Sequence, residues 1–354
     1  MPHITAPDGV RLYCEEAGTG TPVVFVHEYA ADYRTWEPQM RYFSRSHRCI
    51  TFSQRGYPPS DVPADPARYA QDIARDDVIA LMDALAIEKA HVVGHSMGAY
   101  TALHVGIRYP RRCLSITAAG CGWGSLPDPK QCEAMKALAA ETGKMFAEEG
   151  IAAAAAKYAD APMRQTHKYK DPRGWGEFAR MLAEHSAEGH ALTMLNLQLK
   201  RPTLWEMEAA LKKFSVPLLV IVGDEDEPCI DGSVYLKRTA LTAGLLVIPR
   251  SGHNVPTEEP AMFNLQLKRP TLWEMETALK KFSVPLLIIV GDEDEPCIDG
   301  SVFLKRTVPT AGLLVIPRSG HTVTSEEPAA FNAALAELFA AAEAGRWMSH
   351  RPPS

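Results

Sequence analysis

The sequence predicts an α/β protein: a doubly wound, mostly parallel sheet with a helical insertion and a duplicated C-terminal βαβα segment. Three observations carry this expectation. Short apolar runs alternate with stretches whose apolar residues recur at helical spacing. Residues 122–195 show helical patterning with no strand-like run. Residues 196–263 then recur as residues 264–331, with 59 of 68 positions identical.

In chain order, Pro7-Asp8-Gly9 is a turn signal between two short extended stretches, the pattern of an opening β-hairpin. Pro22 to Val26 is continuously apolar, as a strand covered on both faces must be. Arg48 to Phe52 reads as the next strand, and residues 69–86 place Ile73, Val78, Leu81, Met82 and Leu85 at helical spacing. Ala90 to Val93 is a third parallel strand, followed by a helix from Met97 that Pro110 stops. Leu114 to Ala118 is the fourth. The insertion holds alanine-rich helical sequence such as Ile151 to Lys157. Each 68-residue copy then offers a helix (Trp205 to Phe214; Trp273 to Phe282), a strand ending in an acidic loop, a second helix, and a strand ending in Ser-Gly-His. A copy this similar is a tandem duplication, not a diverged solenoid repeat. A helix from Phe331 to Ala344 closes the pattern.

Composition narrows the function classes. With 46% hydrophobic and 23% charged residues the chain has ample core. A net charge of −6 and a pI near 6.1 argue against nucleic acid or an anionic membrane as partner. Seven cysteines without CxxC pairs or metal-ligand spacing read as reduced thiols, so no metal is expected. The N-terminus lacks a basic segment followed by an apolar one, and no apolar run approaches the roughly 20 residues that span a bilayer. A soluble, cytoplasmic protein with a small-molecule substrate and no membrane partner is the expectation.

Gly94-His95-Ser96-Met97-Gly98 lies between a β-branched strand and a helix rich in small residues, including Gly98, Ala99 and Ala102. That context makes it a tight strand-to-helix turn presenting the Ser96 hydroxyl at the carboxyl edge of the sheet. A serine hydroxyl needs a base, usually a histidine oriented by a carboxylate. Downstream, one strand runs into Gly223-Asp224-Glu225-Asp226 and the next into Ser251-Gly252-His253. Both lie past strand carboxyl ends, where open α/β sheets place their sites.

On these residues the chain resembles the α/β-hydrolases of the esterase, lactonase and haloperoxidase-like group, over almost its whole length apart from the second copy. The resemblance makes residues 1–121 the N-terminal part of the core, 122–195 a cap, 196–263 the first copy of the C-terminal core segment, and 264–354 the second copy with the final helix. It puts the acid three residues after the glycine, at Asp226, and leaves Asp224, Glu225 and Glu227 as solvated charges. His95 is expected to pack. The family loop Asp-x-Arg-Gly-x-Gly-x-Ser is here Gln54, Arg55, Gly56, Tyr57, Pro58, Pro59, Ser60, without its acid or its second glycine. The family's His-Gly becomes His27-Glu28, and the pattern carried over assigns the oxyanion-holding N–H groups to Tyr29 and Met97. Glu28 has two readings. It points away and pairs with a cation such as Arg55, or it lies in the pocket and disfavours anionic substrates.

The duplication supplies alternates, Asp294 and His321, for one Ser96. Chain order favours the first copy. The uninterrupted helix after the second Glu-Glu-Pro, and Pro309 in place of Leu241, favour the second. The first copy, Asp226 and His253, is taken as the working pair. Apolar strands in the spare copy would each forgo roughly 1.5–3 kcal/mol per exposed Leu, Ile or Val. The spare copy is therefore expected to lengthen the sheet or to dock on another subunit of a homo-oligomer.

A serine nucleophile implies acyl transfer from a small, mainly apolar ester or lactone to water, through an acyl-serine intermediate and with no cofactor. Trp123 and Trp175 are candidate pocket residues, along with Met163, Phe178 and Met181, unless they form the cap's own core. Two alternatives stand beside this reading. One is hydrolysis of a carbon–carbon bond in a β-diketone-like ring-cleavage product; the other is a catalytically silent ligand-binding homologue.

Overall fold

Strand segments with no polar face must be covered on both sides, and the first three-quarters of the chain does this. In the computed structural model, which describes residues 3–125, 129–268, 272 and 275–347, eight strands form one sheet. They are β1 (His3–Thr5), β2 (Arg11–Ala17), β3 (Thr21–Val26), β4 (His47–Phe52), β5 (Ala90–His95), β6 (Cys113–Ala119), β7 (Leu218–Gly223) and β8 (Ala243–Ile248). Their order is β1-β2-β4-β3-β5-β6-β7-β8. The pairings β1–β2 and β2–β4 are antiparallel and the rest are parallel. The opening hairpin and the parallel sheet are those expected.

Alternation along β3 shows how both faces are closed. Val24 and Val26 join Ile50, Val92, Ile116 and Val220 under the helices Gln71–Ala84 and Met97–Arg108, with Val78, Leu81 and Leu103. Val23 and Phe25 join Cys49, Val93 and Ile221 on the other face, under Trp36, Phe43 and Phe263. Phe263 belongs to the helix Pro260–Lys268, so the end of the first copy completes this layer. Among the described residues no helix is long and apolar enough to cross a membrane.

Between β6 and β7 the described residues form helices and no strand: Pro129–Ala159, broken at Gly150, then Gln165–Lys170, Pro172–Ala183 and Ala187–Leu192. Their apolar residues Phe146, Phe178, Leu182 and Met194 cluster with Tyr29, Tyr57 and Met97 of the core. This helical layer therefore covers the carboxyl end of the sheet.

Three details depart from expectation. The helix expected over Trp205 to Phe214 is α-helical only at Glu208–Leu211. Upstream of it the Glu206 carboxylate takes the Thr203 N–H and hydroxyl, so a turn consumes the groups a longer helix would use. Its counterpart is Glu276–Leu279, and the expected start at Trp273 lies outside the described residues. Second, the chain divides into the units Met1–Leu267 and Lys268–Ser354, past the repeat boundary, because the helix Pro260–Lys268 runs through it. Third, of the two placements expected for the second copy, lengthening of the sheet is not the one seen: β9 (Leu286–Gly291) and β10 (Ala311–Ile316) form a two-stranded parallel sheet of their own. β8 already has the half-exposed pattern of an edge strand, without the buried faces a further central strand would need.

The second unit has its own small core, in which Leu279, Ile288, Val308 and Ala311 are buried beneath the helix Glu295–Thr307. The helix Pro328–Glu343 follows.

Candidate active site

Ser96 follows β5 with φ 52° and ψ −110°, a left-handed backbone that a non-glycine residue adopts only when its surroundings impose it. The imposition is visible on both sides. A Cβ on Gly94 would lie 2.1 Å from the Gly98 carbonyl oxygen, and one on Gly98 would lie 2.1 Å from that of Val26. Only glycines allow strand, turn and helix to meet this closely. The Ser96 N–H is held by the Ala119 carbonyl at 2.8 Å. The hydroxyl stands half-buried at the start of the helix Met97–Arg108, where free N–H groups and the helix dipole favour negative charge.

β7 and β8 deliver the other two groups. Ser96 Oγ–H donates to His253 Nε2 at 2.9 Å, and His253 Nδ1–H donates to Asp226 Oδ2 at 2.8 Å. The His253 and Asp226 side chains are buried. Burial by itself would lower the histidine's pKa, but the Asp226 charge outweighs it and His253 lies above the usual 6.5. Burial likewise opposes ionisation of Asp226, and the facing imidazole brings it below the usual carboxylate range. The loop carrying His253 is held by Glu258, whose carboxylate accepts the N–H groups of Gly252 at 2.6 Å and Asn254 at 3.1 Å. His95 is buried with Nε2 2.7 Å from the His253 carbonyl, and desolvation brings its pKa to about 4. It packs behind the base and stays neutral. Asp224, Glu225 and Glu227 are exposed, as expected of them.

The loop after β3 is ordered by its own side chains. His27 Nδ1 lies 2.7 Å from the Glu28 carbonyl, and the Gln54 N–H donates to His27 Nε2 at 2.9 Å. Tyr29 follows, buried, with its hydroxyl donating to the His190 carbonyl at 3.0 Å. Glu28 does pair with a cation, but not with Arg55. Arg55 is committed to Asp77 and Asp8. Arg164 of the helical layer takes Glu28 in a two-pronged pair, Nη1 to Oε1 at 2.8 Å and Nη2 to Oε2 at 2.6 Å. Both side chains are wholly buried. Burial would raise the Glu28 carboxyl; the Arg164 guanidinium overrides it and holds the pKa at about 2. Asn254 joins by accepting from Arg164 Nη1, and its amide lies 2.9 Å from His167 Nδ1.

Sequence reasoning missed Arg164, Asn254, His167 and Glu258. One signal was available: Asn254 is among the nine positions where the copies differ, Thr322 standing there in the second. Trp175 packs within the helical layer, its Nε1–H on the Ala159 carbonyl at 2.8 Å. Trp123 lines a small side cavity with Tyr100, Ser125 and Met135. Both pack against the helical layer's own core.

Asp226, Cys229 and His253 bring a carboxylate oxygen, a sulfur and a ring nitrogen within 4.8 Å of one another, as do Asp294, Cys297 and His321. Such donors suit a zinc ion. In the first copy the Cys229 thiol is buried, donates to the Gly120 carbonyl at 3.4 Å and has its pKa pushed well up by desolvation, so it is kept protonated. In the second, His321 Nδ1 meets Asp294 Oδ2 at 2.9 Å with the imidazole largely exposed. Asp294 and His321 thus form a pair within the second unit, while Asp226 and His253 are joined to Ser96 in the first.

Comparison with known proteins agrees with the fold. Residues 21–260 match the family model described as alpha/beta hydrolase fold. The chain is 27% identical over 212 residues to 3-oxoadipate enol-lactonase 1 of Acinetobacter baylyi, covering 58% of this chain and 71% of that one. It is 27% identical over 261 residues to a 2-hydroxy-6-oxo-6-phenylhexa-2,4-dienoate hydrolase of Burkholderia cepacia, covering 72% and 88%. A thermophilic esterase from Thermogutta terrifontis superposes with a TM-score of 0.65 at 25% identity, covering 75% and 96%.

Proposed function

Because the chain belongs to the α/β-hydrolase fold family, we propose that it is a serine hydrolase cleaving small, mainly apolar carboxylic esters or lactones. The observation that carries this reading is the continuous hydrogen-bonded line from Ser96 through His253 to Asp226. Ser96 Oγ attacks the acyl carbon while His253 Nε2 takes its proton. Asp226 holds the imidazole and stabilises its charged form. The tetrahedral oxyanion is held by the N–H groups of Tyr29 and Met97. Its collapse breaks the acyl–oxygen bond, and the His253 proton passes to the departing alkoxide. A water deprotonated by His253 then attacks the acyl-serine, and Ser96 leaves with the returned proton as the acid is released. Similarity to the enol-lactonase and to the esterase supports this class of bond.

The test is p-nitrophenyl butyrate hydrolysis together with labelling by a fluorophosphonate. Wild type should turn over the ester and be labelled once, and Ser96→Ala should lose both. A protein that neither hydrolyses esters nor reacts with the probe would refute the reading. A second reading keeps the same three residues but cleaves a carbon–carbon bond in a β-diketone-like ring-cleavage product; similarity to the dienoate hydrolase favours it. Turnover of a vinylogous diketone, with simple esters left intact, would establish it instead.

A further inference from the structure

One departure of this chain from the family pattern, Glu28, meets two further polar residues in one buried place. Glu28 stands where the resemblance expects glycine, Arg164 comes from the helical layer, and Asn254 directly follows His253. Glu28 lies in the loop between His27 and Tyr29, and its charge acts on both His253 and His95. Arg164 also donates to Asn254, the residue after His253, so the buried pair lies beside the loop that carries the base.

Both NH2 groups of the guanidinium are committed, while its Nε–H is buried without a partner among the described residues. Its two NH2 groups go to the two oxygens of Glu28, with Asn254 Oδ1 as a further acceptor for Nη1. Its faces are covered by the Tyr158 and Phe178 rings, with centroids 5.3 and 5.0 Å away. The positive charge that could hold a substrate carboxylate is thus neutralised by the protein's own carboxylate. A second anion brought beside it would face Glu28 in a site of low dielectric, where like charges repel strongly.

We propose that Glu28 masks Arg164, so that the site accepts substrates uncharged near the scissile bond and rejects those bearing a carboxylate there. This rests on the serine-hydrolase reading above. It assigns Glu28 and Arg164 as specificity-determining residues that do not take part in bond cleavage. Removing the mask's charge should convert Arg164 into an anion-binding group, because the guanidinium then lacks its counter-charge and an amide oxygen can accept from only one of its NH2 groups.

The experiment compares p-nitrophenyl butyrate with mono-p-nitrophenyl succinate, which has the same acyl length and a terminal carboxylate, as kcat/KM above the buffer blank. Wild type should prefer the neutral ester by roughly a hundredfold. Glu28→Gln should narrow that ratio by about tenfold or more, through the succinate ester. Glu28→Gln combined with Arg164→Met removes both charges and should restore the preference for butyrate, which a merely structural role for the pair would not produce. Comparable wild-type rates on the two esters would overturn the proposal, whether or not the variants fold. So would a folded Glu28→Gln protein with an unchanged ratio. Loss of both ester activity and fluorophosphonate labelling in wild type would instead refute the serine-hydrolase reading, and this proposal with it.

Discussion

Asp226 with His253, and Asp294 with His321, are made from the same local sequence and share the same local geometry. Their Nδ1–Oδ2 separations are 2.8 and 2.9 Å. Arg250 and Arg318, in the loops before the histidines, both have positive φ, 54° and 56°. What separates them is surroundings. The His253 side chain is 1% exposed and touches Ser96, whereas the His321 side chain is 79% exposed. The first copy's β7 runs between β6 and β8, and Phe214 fills the space beside Gly106. In the second copy Val284 is 60% exposed where its counterpart Val216 is 3% exposed. An acid–histidine pair is therefore a local structure that a short segment can carry by itself. A working base also needs a hydroxyl on Nε2 and the burial that makes a nearby carboxylate felt.

Divergence between the copies follows the same line. Three of their nine differences come just after the histidine, where Asn254, Pro256 and Thr257 are replaced by Thr322, Thr324 and Ser325. In the first copy Asn254 binds Arg164 and His167, and the Pro256 carbonyl accepts from Gln39 at 2.8 Å. Two of these three, Asn254 and Pro256, meet other parts of the first unit, while the Glu258 and Glu326 braces are retained.

The comparison can be broken most sharply at the acids. Asp226→Asn should cost about 10⁴ in kcat, because the imidazole loses its tautomer and its charge partner. Asp294→Asn should leave ester hydrolysis at the wild-type rate, and equal losses would mean that the copies share the work. The next largest effect concerns stability. Arg164→Met strands the Glu28 carboxylate and should destabilise the fold by about 3–5 kcal/mol at neutral pH. Without its guanidinium, burial raises the folded-state pKa of Glu28 above the usual 4.5. The penalty should be full above that raised value and shrink as pH falls below it. Denaturant midpoints at pH 7.5 and pH 5 would check this, and a penalty growing toward acid would contradict it.

A smaller effect is expected in the pH profile. His253 works as a base only when neutral, and its pKa lies above 6.5. kcat/KM should therefore fall as pH drops through that raised value, and the residual activity of Asp226→Asn should show its acid limb at lower pH. An unshifted limb would place the titration elsewhere. Smallest of all, excising residues 264–331 joins Phe263 to Asn332, which restores the residue found at Asn264. Hydrolysis should be unaffected, and its loss would show that the first unit depends on the second copy.

The fold was legible because its signals are local. Runs such as Pro22 to Val26 and the elbow around Ser96 state their own geometry, and β7 and β8 carry Asp226 and His253 to the expected face. The partner of Glu28 was not legible. Arg164 lies 136 residues away, in a segment with no motif, and the nearer candidate Arg55 is consumed by Asp77 and Asp8. The place of the second copy was equally hidden. Strand propensity specifies that β9 forms, but not which edge it joins.

The most direct test of the central claim is the rate of p-nitrophenyl butyrate hydrolysis by His253→Ala and His321→Ala side by side. Loss of activity in His253→Ala alone is the predicted result. Loss in His321→Ala, or survival of activity in both, would contradict the assignment of Asp226 and His253 as the groups that serve Ser96.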